Sequence, residues 1–242
     1  MIQLPAESKV ISKDGDEATF EITPLFPGYG ATIGNSLRRV LLSSLDGAAI
    51  VSVKIKGVSH EFSSISGVLE DIIEIIMNLK KIRLKLLTDG PATLKLKVKG
   101  EGKVTASKIE APSEVQIINP DQHIATITDK KAELDMELTV ERGTGYEPAE
   151  QRQKEKLSVG MITIDAIFSP IESVNFNVEN IRVGQRTDYN KVVLSIKTDG
   201  TIEPEEALYK ASQILINHFQ VIGGEKPEIS EKLLEKKKKT KK

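Results

Sequence analysis

The chain has 242 residues, of which 39% are hydrophobic and 29% charged, with a formal net charge of −1 and no cysteine. This is the composition of a water-soluble globular protein of one large or two smaller domains, and no apolar run approaches the roughly 20 residues that a membrane span needs. Disulfides and thiolate metal sites are excluded, and the near-zero charge offers no global attraction to nucleic acid; the start, MIQLPAESKV, has no basic and then apolar signal pattern, which favours an intracellular location.

Residues 18–22 alternate as a strand, and Pro24, Pro27, Gly28, Gly30 and Gly34 follow. A helix is predicted over 31–45, because Ile33, Leu37, Val40, Leu41 and Leu45 share one face, with Asp46 and Gly47 as the stop. The glycine spacing is G-x-G-x-x-x-G, one residue off the dinucleotide fingerprint, and it lacks the GK[ST] ending of a P-loop. Asp46 falls at a helix end and not at the end of a second strand, where a ribose-binding acid belongs. The glycines are therefore read as a tight turn and a close packing contact. On the helix, Arg39 points away from the apolar stripe, Arg38 lies toward one flank, and Leu42 projects between them. Such a patch has the composition of a protein interface, and it equally suits a solvated face with one stray leucine. The residues alone leave both readings open.

The middle of the chain alternates as strands with one wet face: Val51, Val53, Ile55; Leu94, Leu96, Val98 with lysines between; and Leu134, Met136, Leu138, Val140. A helix is predicted over 66–81, with Glu70 and Asp71 in its first turn and Lys80 and Lys81 at its end. It is apolar nearly all round and is expected to be buried against the sheet. Residues 142–156 read as a long polar surface loop. Strand patterns return at 161–168, 174–178 and 192–196, and a last helix runs from Pro204 to Gly223 and Gly224 with Leu208, Ala211, Leu215, Phe219 and Ile222 along one side.

Little here suggests catalysis. His60, His123 and His218 are far apart and have no zinc spacing, and no G-x-S-x-G elbow anchors a hydrolase triad. No catalytic residue, metal site or cofactor is expected. The ending KKKKTKK from Lys236 is a self-repelling block, read as a disordered tail with at most a weak contact to phosphates.

Five blocks in order carry a family resemblance: GYGATIGNSLRRVLLSS (28–44), GVSHEFSSISGVLEDIIEIIMNLK (57–80), RGTGYEPA (142–149), DAIFSPIESVNFNVEN (165–180) and VGQRTDYNKVVLSIKTDGTIEPEEAL (183–208). In these the chain resembles the α subunits of bacterial-type DNA-directed RNA polymerase, in their N-terminal assembly region. The resemblance implies an α+β chain: a dimerisation domain of a sheet and two long helices, formed by 1–46 and 170–224, interrupted by an inserted β-rich domain over 47–169, with 225–242 as a charged tail. It implies a cytoplasmic, homodimeric, non-catalytic subunit of a nucleotidyltransferase that serves transcription by scaffolding the β and β′ subunits and meets DNA indirectly, through the whole enzyme, apart from the weak contact offered by the lysine tail. Carried over by motif, Arg38, Arg39, Leu42, His60 and Lys80 are candidates for the β contact, and Arg182, Gln185 and Arg186 for the β′ contact. Val40, Leu41, Leu215, Phe219 and Ile222 are candidates for the dimer interface. The family usually continues into a C-terminal DNA-binding domain, which is absent from these 242 residues.

Overall fold

The structure, a computed structural model, describes residue 2, residues 4–152 and residues 160–224. The end of the predicted 142–156 loop and the whole lysine tail lie outside the described residues. The described elements are β1 (Lys9–Asp14), β2 (Glu17–Leu25), α1 (Tyr29–Ser43), β3 (Asp46–Ile55), α2 (Ile72–Leu79), β4 (Leu84–Leu86), β5 (Ala92–Lys99) and β6 (Gly102–Thr105). After them come β7 (Ile109–Glu110), β8 (Val115–Ile117), β9 (His123–Ile127), β10 (Glu133–Thr144), β11 (Tyr146–Glu147), α3 (Ala149–Arg152), β12 (Met161–Thr163) and β13 (Ala166–Ile167). The chain closes with β14 (Ile171–Val183), β15 (Arg186–Thr198) and α4 (Pro204–Gly223). The architecture is sheet-rich α+β with few helices.

One antiparallel sheet has the strand order β1-β2-β15-β14. Ala18, Phe20 and Ile22 alternate into its buried face beside Val192, Leu194 and Ile196, and Leu37 and Leu41 of α1, Leu45 just after it, and Leu208 and Ala211 of α4 close over them. The opposite face is polar, with Thr19 and Ser195 sharing a hydrogen bond of 3.0 Å and Lys191 paired to Glu179 at 2.6 Å. β3 then leaves this core and enters a second sheet of order β7-β5-β10-β3-β4-β8, with β12 also on β3. That sheet's core is built from residues between Ile50 and Ile164 and includes Ile72, Ile75 and Leu79 of α2. On its wet face Lys95, Lys97 and Lys99 stand opposite Glu137, Asp135 and Glu133, which is why the alternating lysines of β5 stay in water. A smaller cluster of Ala49, Val51, Ala166 and Phe168 lies between the two cores.

Three expectations are corrected here. Asp46 and Gly47 do not simply stop α1: the helix closes with the Ser44 N–H donating to the Val40 carbonyl at 2.9 Å, and Asp46 already begins β3. The helix expected over 66–81 is only Ile72–Leu79, capped by Asp71, whose carboxylate accepts from the Glu74 N–H at 2.7 Å. Residues before it are drawn into other bonds, with Val68 bridging Ile127 and Glu70 held by β9, and one side of α2 is left open, with Ile73 40% and Met77 56% exposed. Finally, 142–147 is not a free loop: β10 runs on to Thr144, and Tyr146 and Glu147 pair with Ile167 and Ala166.

Candidate functional site

The start of α1 answers the nucleotide question. Gly28 has φ +86, and the Asn190 side-chain oxygen accepts from the N–H groups of Gly28 at 2.9 Å and Gly30 at 3.2 Å. Those are the donors that a phosphate would take from a helix N-terminus. A side chain on Gly30 would come within 2.6 Å of Val178, and one on Gly34 within 2.6 Å of the Phe176 ring. The glycines are absent side chains that let α1 lie against β14, as the spacing suggested.

α1 therefore has a fixed inward face of Leu37 and Leu41, continued by Leu45 just past its end, and an outward face that carries Arg38, Arg39 and Leu42, all exposed. Among the described residues neither arginine holds an ion pair. The helix end leads straight to the RGTGY segment. Thr144 of β10 pairs with Asp46, and a side chain on Gly145 would meet the Ser43 carbonyl at 3.3 Å. Gly143 has the same role one step earlier, because a side chain there would press on the Phe168 ring at 2.6 Å. The short ribbon of β11 and β13 follows, tied by the Phe168 N–H to the Gly145 carbonyl at 2.8 Å.

Lys80 stands on the far side of that ribbon. Its ammonium group is 3.1 Å from Asp165, whose other oxygen accepts from the Ala149 N–H at 2.9 Å. The Ala149 N–H and Lys80, with a weaker contribution from the Tyr146 hydroxyl, hold the Asp165 carboxyl below its ordinary value. Lys80 also lines an open hollow of about 490 Å³ with Met77, Arg83, Ile167 and Glu172. The structure thus connects the arginine face to Lys80 through the ribbon. His60 is exposed in the turn after β3, beyond the strand end remote from α1, where the Ser63 hydroxyl donates to its carbonyl at 2.7 Å.

The second set of candidates sits at the tip of the β14–β15 hairpin. Gln185 is exposed in the turn, and Arg182 donates to the Gly184 carbonyl at 2.9 Å. Arg186 is bound to Asp188 through two bonds of 3.0 and 2.7 Å and lies over the rings of Phe26 and Tyr189, 5.7 and 5.5 Å from their centres. Its charge is already shared locally, so of the three, Gln185 is the side chain for which no bond to the rest of the fold is described.

The proposed dimer residues divide. Leu215 and Val40 are half-buried, while Phe219 and Ile222 are 63% and 78% exposed. Leu41 is 0% exposed and has no surface to offer a second chain; its assignment to the interface is corrected, because it faces the protomer's own core. Missed by the sequence reading were Ile216 and Val221, which extend the exposed apolar end of α4, and Tyr146 and Ile167 on the ribbon. An aromatic inside an otherwise polar glycine-rich run was the available signal for Tyr146.

Among the described residues no helix is long and apolar enough to cross a membrane. The family described as RNA polymerase Rpb3/RpoA insert domain matches residues 53–169. Relatives named DNA-directed RNA polymerase subunit alpha match much more of the chain. That of Roseiflexus castenholzii is 51% identical over 214 residues, 88% of this chain and 66% of the relative. Those of Symbiobacterium thermophilum and Moorella thermoacetica are 48% and 49% identical over 215 and 220 residues, 89% and 91% of this chain and 68% and 70% of the relatives. The chain spans about two thirds of the length of these curated relatives.

Proposed function

The chain belongs to the family of DNA-directed RNA polymerase α subunits, and on that premise we propose that it is the enzyme's non-catalytic assembly subunit, a homodimer that scaffolds the β and β′ subunits in the cytoplasm. In this reading residues 1–46 and 170–224 form the dimerisation domain and residues 47–169 are inserted into it. Nucleotidyl transfer belongs to the partner subunits, and this chain supplies geometry.

The observation that carries the reading is the division of α1 into a buried leucine face and an outward face of two arginines and a leucine. Arginine with an apolar neighbour on a rigid helix is the composition of an interface anchor. Dimer formation is supported by an open groove of about 370 Å³ between α1, α4 and β2, lined by Ile33, Leu37, Leu208, Leu215, Ile216 and Phe219. A second copy related by a two-fold axis would offer the same apolar helix ends to this groove, which makes the surface self-complementary.

The test is recovery of β with the wild-type chain beside Arg39→Ala, both confirmed to be folded and dimeric. Recovery with the wild type and its loss with the variant supports the assembly role. Failure of the wild type to recover β overturns it.

A further inference from the structure

Tyr146 and Ile167 are a directly opposed pair on the two-stranded ribbon of β11 and β13, and both are open to solvent, 60% and 47% exposed. Directly opposed residues of an antiparallel pair point to the same side, so the two form one apolar patch. The ribbon has only two residues in each strand, and an isolated ribbon of that size is marginal on its own. Here it is held from beneath, by Phe168, whose N–H donates to the Gly145 carbonyl, and by Asp165, which links Ala149 and Lys80. The fold fixes the patch in place and leaves its apolar side uncovered.

Position gives the patch its meaning. Gly145 touches the end of α1 at the Ser43 carbonyl, one residue beyond Leu42, and Ile167 shares the hollow that Lys80 and Met77 line. The Tyr146–Ile167 pair therefore lies between the end of the helix that carries Arg38, Arg39 and Leu42 and the hollow that Lys80 lines. Charged side chains stand at both ends, and the exposed aromatic and branched aliphatic lie in the middle, the arrangement in which interface energy concentrates.

We infer that Tyr146 and Ile167 are the central apolar anchor of the surface that receives β. This rests on the assembly reading and deepens it. The matching surface on β would carry an apolar side chain that seats between the two, with carboxylates nearby for Arg38 and Arg39. Lys80, already committed to Asp165, acts chiefly as a positioning residue for the ribbon.

The test measures binding of β to the full chain as wild type, Tyr146→Ala, Ile167→Ala, Tyr146→Phe and Arg39→Ala, with melting and dimer formation checked for each. Both alanine variants are expected to fold and dimerise and to bind β about tenfold or more weakly, while Tyr146→Phe, which keeps the ring, stays near wild type. If both alanine variants bind β like wild type while Arg39→Ala does not, the inference is overturned and the assembly reading stands. If the wild type itself does not bind β, both fall.

Discussion

The side-chain oxygen of Asn190 accepts a hydrogen bond from the Gly28 N–H at 2.9 Å, so a residue of β15 closes the start of α1 from across the sheet. Asn190 is buried, and its amide nitrogen donates to the Asn180 side-chain oxygen at 3.1 Å. Asn190→Ala removes the acceptor for two backbone donors and leaves the Gly30 N–H buried without it. The expected loss is roughly 1–3 kcal/mol, read as a lower urea midpoint with an unchanged slope.

Gly34→Ala sets two effects against each other. Alanine favours a helix interior over glycine by about 1 kcal/mol. The added methyl would lie 2.6 Å from the Phe176 ring, however, and β14 or α1 must shift to admit it. Overpacking of this kind costs about 1–3 kcal/mol, so the net change is a destabilisation, and a rise in the melting temperature would contradict this packing.

Leu41 and Phe219 are expected to fail in different ways. Leu41→Ala opens a cavity in the protomer core and is expected to cost about 2–5 kcal/mol of stability. Phe219→Ser alters an exposed side chain and is expected to leave the protomer's melting nearly unchanged while shifting the chain toward monomer in sedimentation. Equal dimerisation by Phe219→Ser and wild type would remove α4's end from the interface.

Glu70 makes the insert's stability depend on acid pH. Burial alone would raise its carboxyl above the ordinary 4.5, but the bonds from the His123 ring, the Thr126 N–H and the Thr126 hydroxyl together outweigh that and lower it. A carboxyl lowered on folding contributes stability that is fully present above its unfolded value and lost as pH falls through the folded one. Glu70→Gln is therefore expected to be less stable than wild type by roughly 1–2 kcal/mol at neutral pH, with the gap closing as pH drops below about 4.5. Urea midpoints between pH 3 and pH 7 read this directly, and a gap that stays constant across the range would refute it.

What the sequence determined by itself was the pattern carried in neighbouring residues. The stripe of Leu37, Leu41 and Leu45, the alternation of β5 and β10, and the glycines that admit α1 to β14 all follow from local periodicity and side-chain size, which no distant contact had to supply. The five matching blocks likewise carry the family in their residues alone.

Tertiary structure decided where local preference met a distant partner. α2 is shorter than its apolar pattern because Glu70 is bound by β9, some fifty residues away in sequence, and the RGTGY run is ordered because Gly143 and Gly145 pack on Phe168 and Ser43. The pairing of Tyr146 with Ile167, the approach of Gly145 to the end of α1 and the hollow that Ile167 shares with Lys80 were not legible in the sequence, because hydrogen-bonded register between distant strands has no local signature.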